Sequence, residues 1–138
     1  MVGPGAAPPP PPTPSRGTVL LVEEEKSLRA LLGKYLGDHG YEILEAVTSE
    51  EALKECRRHT EPIHLMISDL MMTEMNGQEL ARQARAFHPA LKTLYLAAHS
   101  DSSMMIRGIP LTDISFLPKP FKLKELISSV NELLGRSQ

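Results

Sequence analysis

Apolar runs and amphipathic stripes alternate along most of this chain. Thr18-Val19-Leu20-Leu21-Val22 is short, apolar and partly β-branched, the pattern of a strand buried on both faces. Leu28, Leu31, Leu32, Tyr35 and Leu36 then repeat at helical spacing, and Gly40 closes that helix. Tyr41 to Val47 reads as a second strand. Thr48 and Glu51 have capping-box spacing and open a helix that buries Ala52, Leu53 and Cys56. Ile63 to Ser68 is a third strand, ending on Asp69. Gly77 precedes a helix carrying Leu80, Ala84 and Phe87, stopped near Pro89. Leu91 to Ala97 is a fourth strand. Ser100 to Arg107 is a weaker helix, with Met104, Met105 and Ile106 apolar. Ile114 to Leu117 is a short fifth strand. Leu123, Leu126, Ile127, Val130, Leu133 and Leu134 form the strongest helical stripe.

The pattern predicts an α/β domain of five strands and five helices. Apolar strands that are each followed by a helix imply a parallel sheet covered on both faces, with right-handed crossovers. Ligands of such doubly wound sheets bind outside the carboxyl ends of the strands. Glu23-Glu24, Asp69 and Ala97 fall at those ends, and the Pro118-Lys119-Pro120 loop reaches the same edge.

Residues 1–17 break the pattern. They hold seven of the twelve prolines, with Pro8 to Pro12 consecutive, so they read as a stiff polyproline tether ahead of a domain at 18–138. The formal charge of −2 and the scarcity of aromatics give no case for nucleic acid or an anionic membrane. Cys56, the one cysteine, excludes an internal disulfide and suits a reducing cytosol. The chain has no apolar run of membrane-spanning length and no signal-peptide pattern. It also lacks a Gly-rich phosphate loop and zinc-type His/Cys spacing, and its five histidines read as surface or loop residues.

Carboxylates converging on one edge repel one another unless a cation binds or one protonates. Mg²⁺ suits such a site, being hard, oxygen-seeking and satisfied by one or two carboxylates, waters and a phosphate. Asp69 is then a candidate nucleophile for an aspartyl phosphate, and Lys119 a point charge for the phosphoryl oxygens.

These residues resemble the receiver domains of two-component response regulators over about 18–135. The resemblance is carried by the acids of VLLVEEE, Asp69 in ISDLMMTEMNG and Lys119 in FLPKPF. It implies the flavodoxin-like (βα)5 fold with strand order 2-1-3-4-5. It implies phosphorylation of Asp69 from a phosphohistidine, with Mg²⁺ on Glu24, Asp69 and the backbone carbonyl of Met71, and Glu23 acting through water. It makes Phe116 the switch aromatic and Lys119-Pro120 a candidate cis bond. The implied partners are a histidine kinase or its phosphotransfer domain and a downstream regulator. The implied setting is cytoplasmic, and the module itself is not an enzyme. PIHLMISDLMM, LKTLYLAAHSD and FLPKPF look most like receivers at the C-terminus of hybrid sensor kinases.

Three positions depart from that family. Its acid pair, usually Asp-Asp or Glu-Asp, is Glu23-Glu24 here, roughly 1.5 Å longer in reach at the changed position. Glu25 is a substitute acid. The family's Ser or Thr at the end of strand four is Ala97, which donates nothing to a phosphoryl oxygen; His99 is a candidate replacement donor. The proline usual four residues after the phosphoacceptor is Thr73. The alternative reading is therefore a degenerate pseudo-receiver, a protein-interaction module with weak or no phosphorylation.

Overall fold

The computed structural model describes residues 15–71, 75–97, 105–106, 109–110 and 115–136. In chain order the elements are β1 (Thr18–Val22), α1 (Lys26–Asp38), β2 (Glu42–Ala46), α2 (Ser49–Arg58), β3 (Leu65–Asp69) and α3 (Gly77–Ala84). Then come β4 (Lys92–Ala97), β5 (Met105–Ile106), β6 (Ile109–Pro110), β7 (Phe116–Pro118) and α4 (Leu123–Leu133). Five strands form one parallel sheet in the order β2-β1-β3-β4-β7, which is the expected 2-1-3-4-5 winding with β7 as the fifth strand.

Side chains of a strand alternate between faces, and β1 shows it. Val19 and Leu21 pack on one side with Leu32 and Leu36 of α1 and Leu126, Ile127 and Val130 of α4. Leu20 and Val22 pack on the other side with Ala52 and Cys56 of α2 and Leu80, Ala81 and Ala84 of α3. Each fully buried Leu contributes on the order of 1.5–3 kcal/mol. Burial also pushes the Cys56 thiol up to about 11, so it acts as a packing group.

The caps follow from local chemistry. Thr48 Oγ1 accepts the Glu51 N–H at 3.1 Å, while the Glu51 carboxylate accepts from Val47, one residue before the cap. Asn76 Oδ1 accepts the Glu79 N–H at 2.8 Å to start α3. Gly40, at φ +97°, follows α1 and takes a backbone that side-chain-bearing residues rarely adopt. Ahead of β1, the Arg16 N–H donates to Gly40 O at 2.8 Å, and Arg136 Nε donates to Arg16 O at 2.7 Å.

Several expectations are corrected. Four helices, not five, occur among the described residues. Where a weak helix was read over Ser100 to Arg107, Met105–Ile106 pairs antiparallel with Ile109–Pro110. An eight-residue helix is marginal in water, and Gly108 and Pro110 follow too closely to let it extend. The remainder of that expected helix, with Ala98 and His99, lies outside the described residues, as do Thr73 and Ile114. The strands are not all buried on both faces: β2 is an edge strand with Glu42 and Glu45 exposed. Leu31 lies at the margin of its stripe, 51 % exposed, and Phe87 lies beyond the end of α3, 46 % exposed.

Candidate functional site

The strand order creates the site. β1 and β3 are neighbours whose following helices pack on opposite faces, which opens a crevice at their carboxyl ends. Their register pairs Val22 with Ser68, so the next residues, Glu23 and Asp69, leave the sheet side by side. Asp69 pairs with Leu96 of β4, and Ala97 pairs with Pro118 of β7. Lys119 therefore emerges one residue beyond the neighbouring ends.

Lys119 Nζ lies 2.7 Å from Asp69 Oδ1. Both side chains are partly exposed, at 34 % and 22 %, although the Asp69 Oδ1 atom itself is buried. The Lys119 backbone N–H is fixed on Ala97 O at 2.7 Å, and the Lys119-Pro120 bond is cis, as the family resemblance implied.

Glu23 is buried, at 4 % exposed. Its Oε2 accepts the Glu25 N–H at 3.0 Å, whereas its Oε1 is buried with no hydrogen-bond partner. Burial raises its pKa above 4.5, opposed by the Glu25 N–H; the Asp69 charge raises it further, and Lys119 works the other way. Glu24 and Glu25 are exposed. Thus of the three consecutive acids it is Glu23 that faces the crevice.

Below the site, Gly77 N–H donates to Leu70 O at 2.8 Å, and Leu70 N–H donates to Leu96 O at 2.9 Å. A Cβ on Gly77 would come within 2.8 Å of both Asp69 O and the Tyr95 ring. Only glycine lets the α3 start lie this close to the end of β3. That contact was not read from the sequence, where Gly77 served only as a helix-start signal.

Ala97 is fully buried, and Phe116 is half-buried against the core face that contains Ala97 and Tyr95. Met71 is exposed, two residues beyond Asp69 at the start of the loop. Among the described residues, no group of three His, Cys, Asp or Glu side chains is arranged to hold a metal. Mg²⁺ needs fewer carboxylates than that. The buried Glu23 Oε1, which has no hydrogen-bond partner, is an oxygen that fits a hard cation.

The sequence matches the response regulator receiver domain over residues 19–131. The chain belongs to the response regulator receiver family. It is 36 % identical over 120 residues to the sensor kinase CckA of Brucella abortus, covering 86 % of this chain but 13 % of that protein. It is 30 % identical over 116 residues to the response regulator receiver protein CpdR of the same organism, covering 84 % of this chain and 95 % of that protein. The chain spans 51 % of the transcriptional regulatory protein CssR of Bacillus subtilis, at 32 % identity over 85 % of its own length. Among solved structures, the receiver domain of the hybrid histidine kinase CckA superposes with a TM-score of 0.71 at 31 % identity, covering 86 % of this chain and 99 % of that one. The response regulator TrrA of Thermotoga maritima, solved in complex with Mg²⁺–BeF, superposes at 0.68 with 29 % identity, covering 85 % and 98 %. The superposition over most of each receiver shows that they share the fold.

Proposed function

We propose that this receiver accepts a phosphoryl group on Asp69 from a phosphohistidine of a histidine kinase or its phosphotransfer domain. The observation that carries this reading is the Lys119 Nζ to Asp69 Oδ1 contact of 2.7 Å at the crevice mouth. A carboxylate oxygen of Asp69 attacks phosphorus, the P–N bond breaks, and its electron pair returns to the imidazole of the donor. Lys119 pairs with the phosphoryl oxygens as charge moves onto them.

Glu23, Asp69 and the Met71 carbonyl are the groups that would hold Mg²⁺, with the exposed Glu24 left at the rim; a relative, TrrA, is solved in complex with Mg²⁺–BeF. When bound, the ion supplies charge neutralisation and orientation of the phosphoryl group. The buried, unpartnered Glu23 Oε1 makes Glu23 itself a direct ligand in this reading rather than one acting through water.

The module works by shifting its own conformational populations and catalyses no reaction on a further substrate. Residues 1–17 tether a receiver unit at 18–138, the setting is cytoplasmic, and the likeness to CckA favours a hybrid-kinase context.

Incubation with Mg²⁺ and acetyl phosphate, followed by intact-mass measurement, tests the reading, with Asp69→Asn as control. A phosphoryl adduct absent from the control supports it; no adduct, or one that survives in the control, overturns it. The second reading, a pseudo-receiver that binds partners without efficient phosphorylation, is favoured by one observation: the fully buried Ala97 presents no hydroxyl at the site.

A further inference from the structure

Arg29 stands in the fourth position of α1, close to the acids but outside every motif that identifies the family. Its side chain is only 14 % exposed. One guanidinium nitrogen, Nη1, donates to the backbone carbonyl of Glu23 at 2.8 Å, and Nε lies 3.3 Å from Glu45 Oε1 on the edge strand β2. A planar fork with fixed donor directions is suited to joining two acceptors in one geometry, which an ammonium does less well.

The surroundings are arranged for this link. Gly33, one turn along α1, leaves room for Glu45: a Cβ there would lie 3.2 Å from Glu45 Oε2. The Arg29 N–H donates to Glu25 O at 2.9 Å, and the Glu25 N–H donates to Glu23 Oε2 at 3.0 Å. The three-residue acidic loop is thus held at both ends, by Arg29 and by the Glu23 N–H on Ala46 O at 3.0 Å. A side chain that grips the Glu23 carbonyl fixes the direction in which Glu23 leaves β1. Direction matters because a glutamate is longer than an aspartate and has one more torsion to fix.

We infer that Arg29, braced by Glu45, is a positioning residue that aims Glu23 into the Asp69 crevice and so sets the affinity of the site for a divalent cation. This rests on the phosphoacceptor reading of that crevice. Simple electrostatics predicts the opposite sign. Removing a positive charge beside three acids should strengthen cation binding, whereas losing the clamp should weaken it.

The test is a Mg²⁺ titration of the full chain, followed by NMR at the Glu23 to Glu25 amides, for wild type, Arg29→Lys and Arg29→Gln. A role in aim predicts about tenfold weaker binding in both variants, the lower end of losses when the outer partners of metal ligands are removed. It also predicts, in the absence of metal, about tenfold faster hydrogen exchange of the Glu25 amide, which reports local opening of the loop. Tighter binding by Arg29→Gln with Arg29→Lys unchanged would show a charge effect and overturn the inference. Unaltered affinity with only a lowered Tm would show a structural role and overturn it too. Failure of the unsubstituted protein to bind Mg²⁺ would instead overturn the cation reading of the crevice, with the inference resting on it, and the wild-type titration alone would reveal it.

Discussion

The backbone N–H of Lys119 donates to the carbonyl of Ala97 at 2.7 Å, so the residue without a hydroxyl anchors the lysine that remains. This bond uses only the main chain of Ala97. A side chain can therefore be restored there without releasing Lys119. Ala97→Thr is expected to raise the yield of Asp69 phosphoryl adduct, up to roughly 100-fold in rate if the new hydroxyl supplies a full pre-organised donor of about 3 kcal/mol. Because Ala97 is fully buried, the added atoms should also cost on the order of 1–3 kcal/mol in stability through overpacking. Intact-mass time courses and urea melts separate the two effects. A yield that falls or stays flat in a folded variant would show that the missing hydroxyl does not limit phosphorylation at Asp69.

Removing the lysine charge tests the other side of the same contact. Lys119→Met leaves the main-chain bond to Ala97 in place but takes away the cation 2.7 Å from Asp69. The adduct yield should fall by a factor of about 10 or more, since a charge aimed at a developing phosphate is lost. Lys119 also lowers the pKa of Glu23. Its loss should therefore move the Glu23 titration further upward, measured by carboxyl-carbon NMR against pH. A downward or absent shift would mean that the lysine does not act electrostatically across the crevice.

Much of this arrangement was legible in the sequence, and the reasons for the misses are physical. The largely apolar β1 and β3 and the stripes of α1 and α4 fixed where the two core faces lie, because burial on both faces leaves few other patterns. Strand order came from family resemblance, since composition says nothing about which parallel strands adjoin. Asp69 and Lys119 were visible as strand-end and loop residues. Which of Glu23 and Glu24 turns inward was not, because side-chain direction beyond a strand end depends on the register of its neighbours. Long-range bridges were equally invisible. His88, read as a surface or loop histidine, sits in a turn but is buried, with Nδ1 accepting the Ile63 N–H at 3.3 Å and Nε2 2.9 Å from Cys56 O. The short β5–β6 pair defeated a helical reading because Met105 and Ile106 carry no periodicity of their own.

Gly77 offers a test of how tightly the Asp69 strand is packed. An added methyl would meet Asp69 O and the edge of the Tyr95 ring, both at 2.8 Å. Neither is the far end of a flexible chain, so the backbone itself must move. Gly77→Ala is expected to destabilise the fold by about 1–3 kcal/mol, in contrast to the gain that Gly-to-Ala changes usually bring in open helices. Thermal and urea unfolding measure this directly. If stability rises, the approach of α3 to Asp69 is looser than these distances state.

Glu23 supplies a prediction in which the sign depends on pH. Its folded pKa is raised above 4.5, chiefly by burial and next by Asp69, against the pull of the Glu25 N–H and Lys119. Between 4.5 and the raised value the folded protein binds more protons than the unfolded chain, so stability falls as pH rises through that window. Above the raised value the carboxylate is a charged, partly unpartnered group inside the fold, and its cost is fully present. Glu23→Gln keeps an oxygen for the Glu25 N–H and removes the charge. Without metal, this variant should have a higher Tm than wild type at pH 7, and the gap should close as pH approaches 4.5. Added Mg²⁺ should raise the Tm of wild type but not of the variant, because the ion stabilises by binding the folded site. Melts over this pH range, with and without Mg²⁺, check both halves. An equal Mg²⁺ response in the two proteins would remove Glu23 from the cation site, and an unchanged gap at low pH would show that its burial carries no charge penalty.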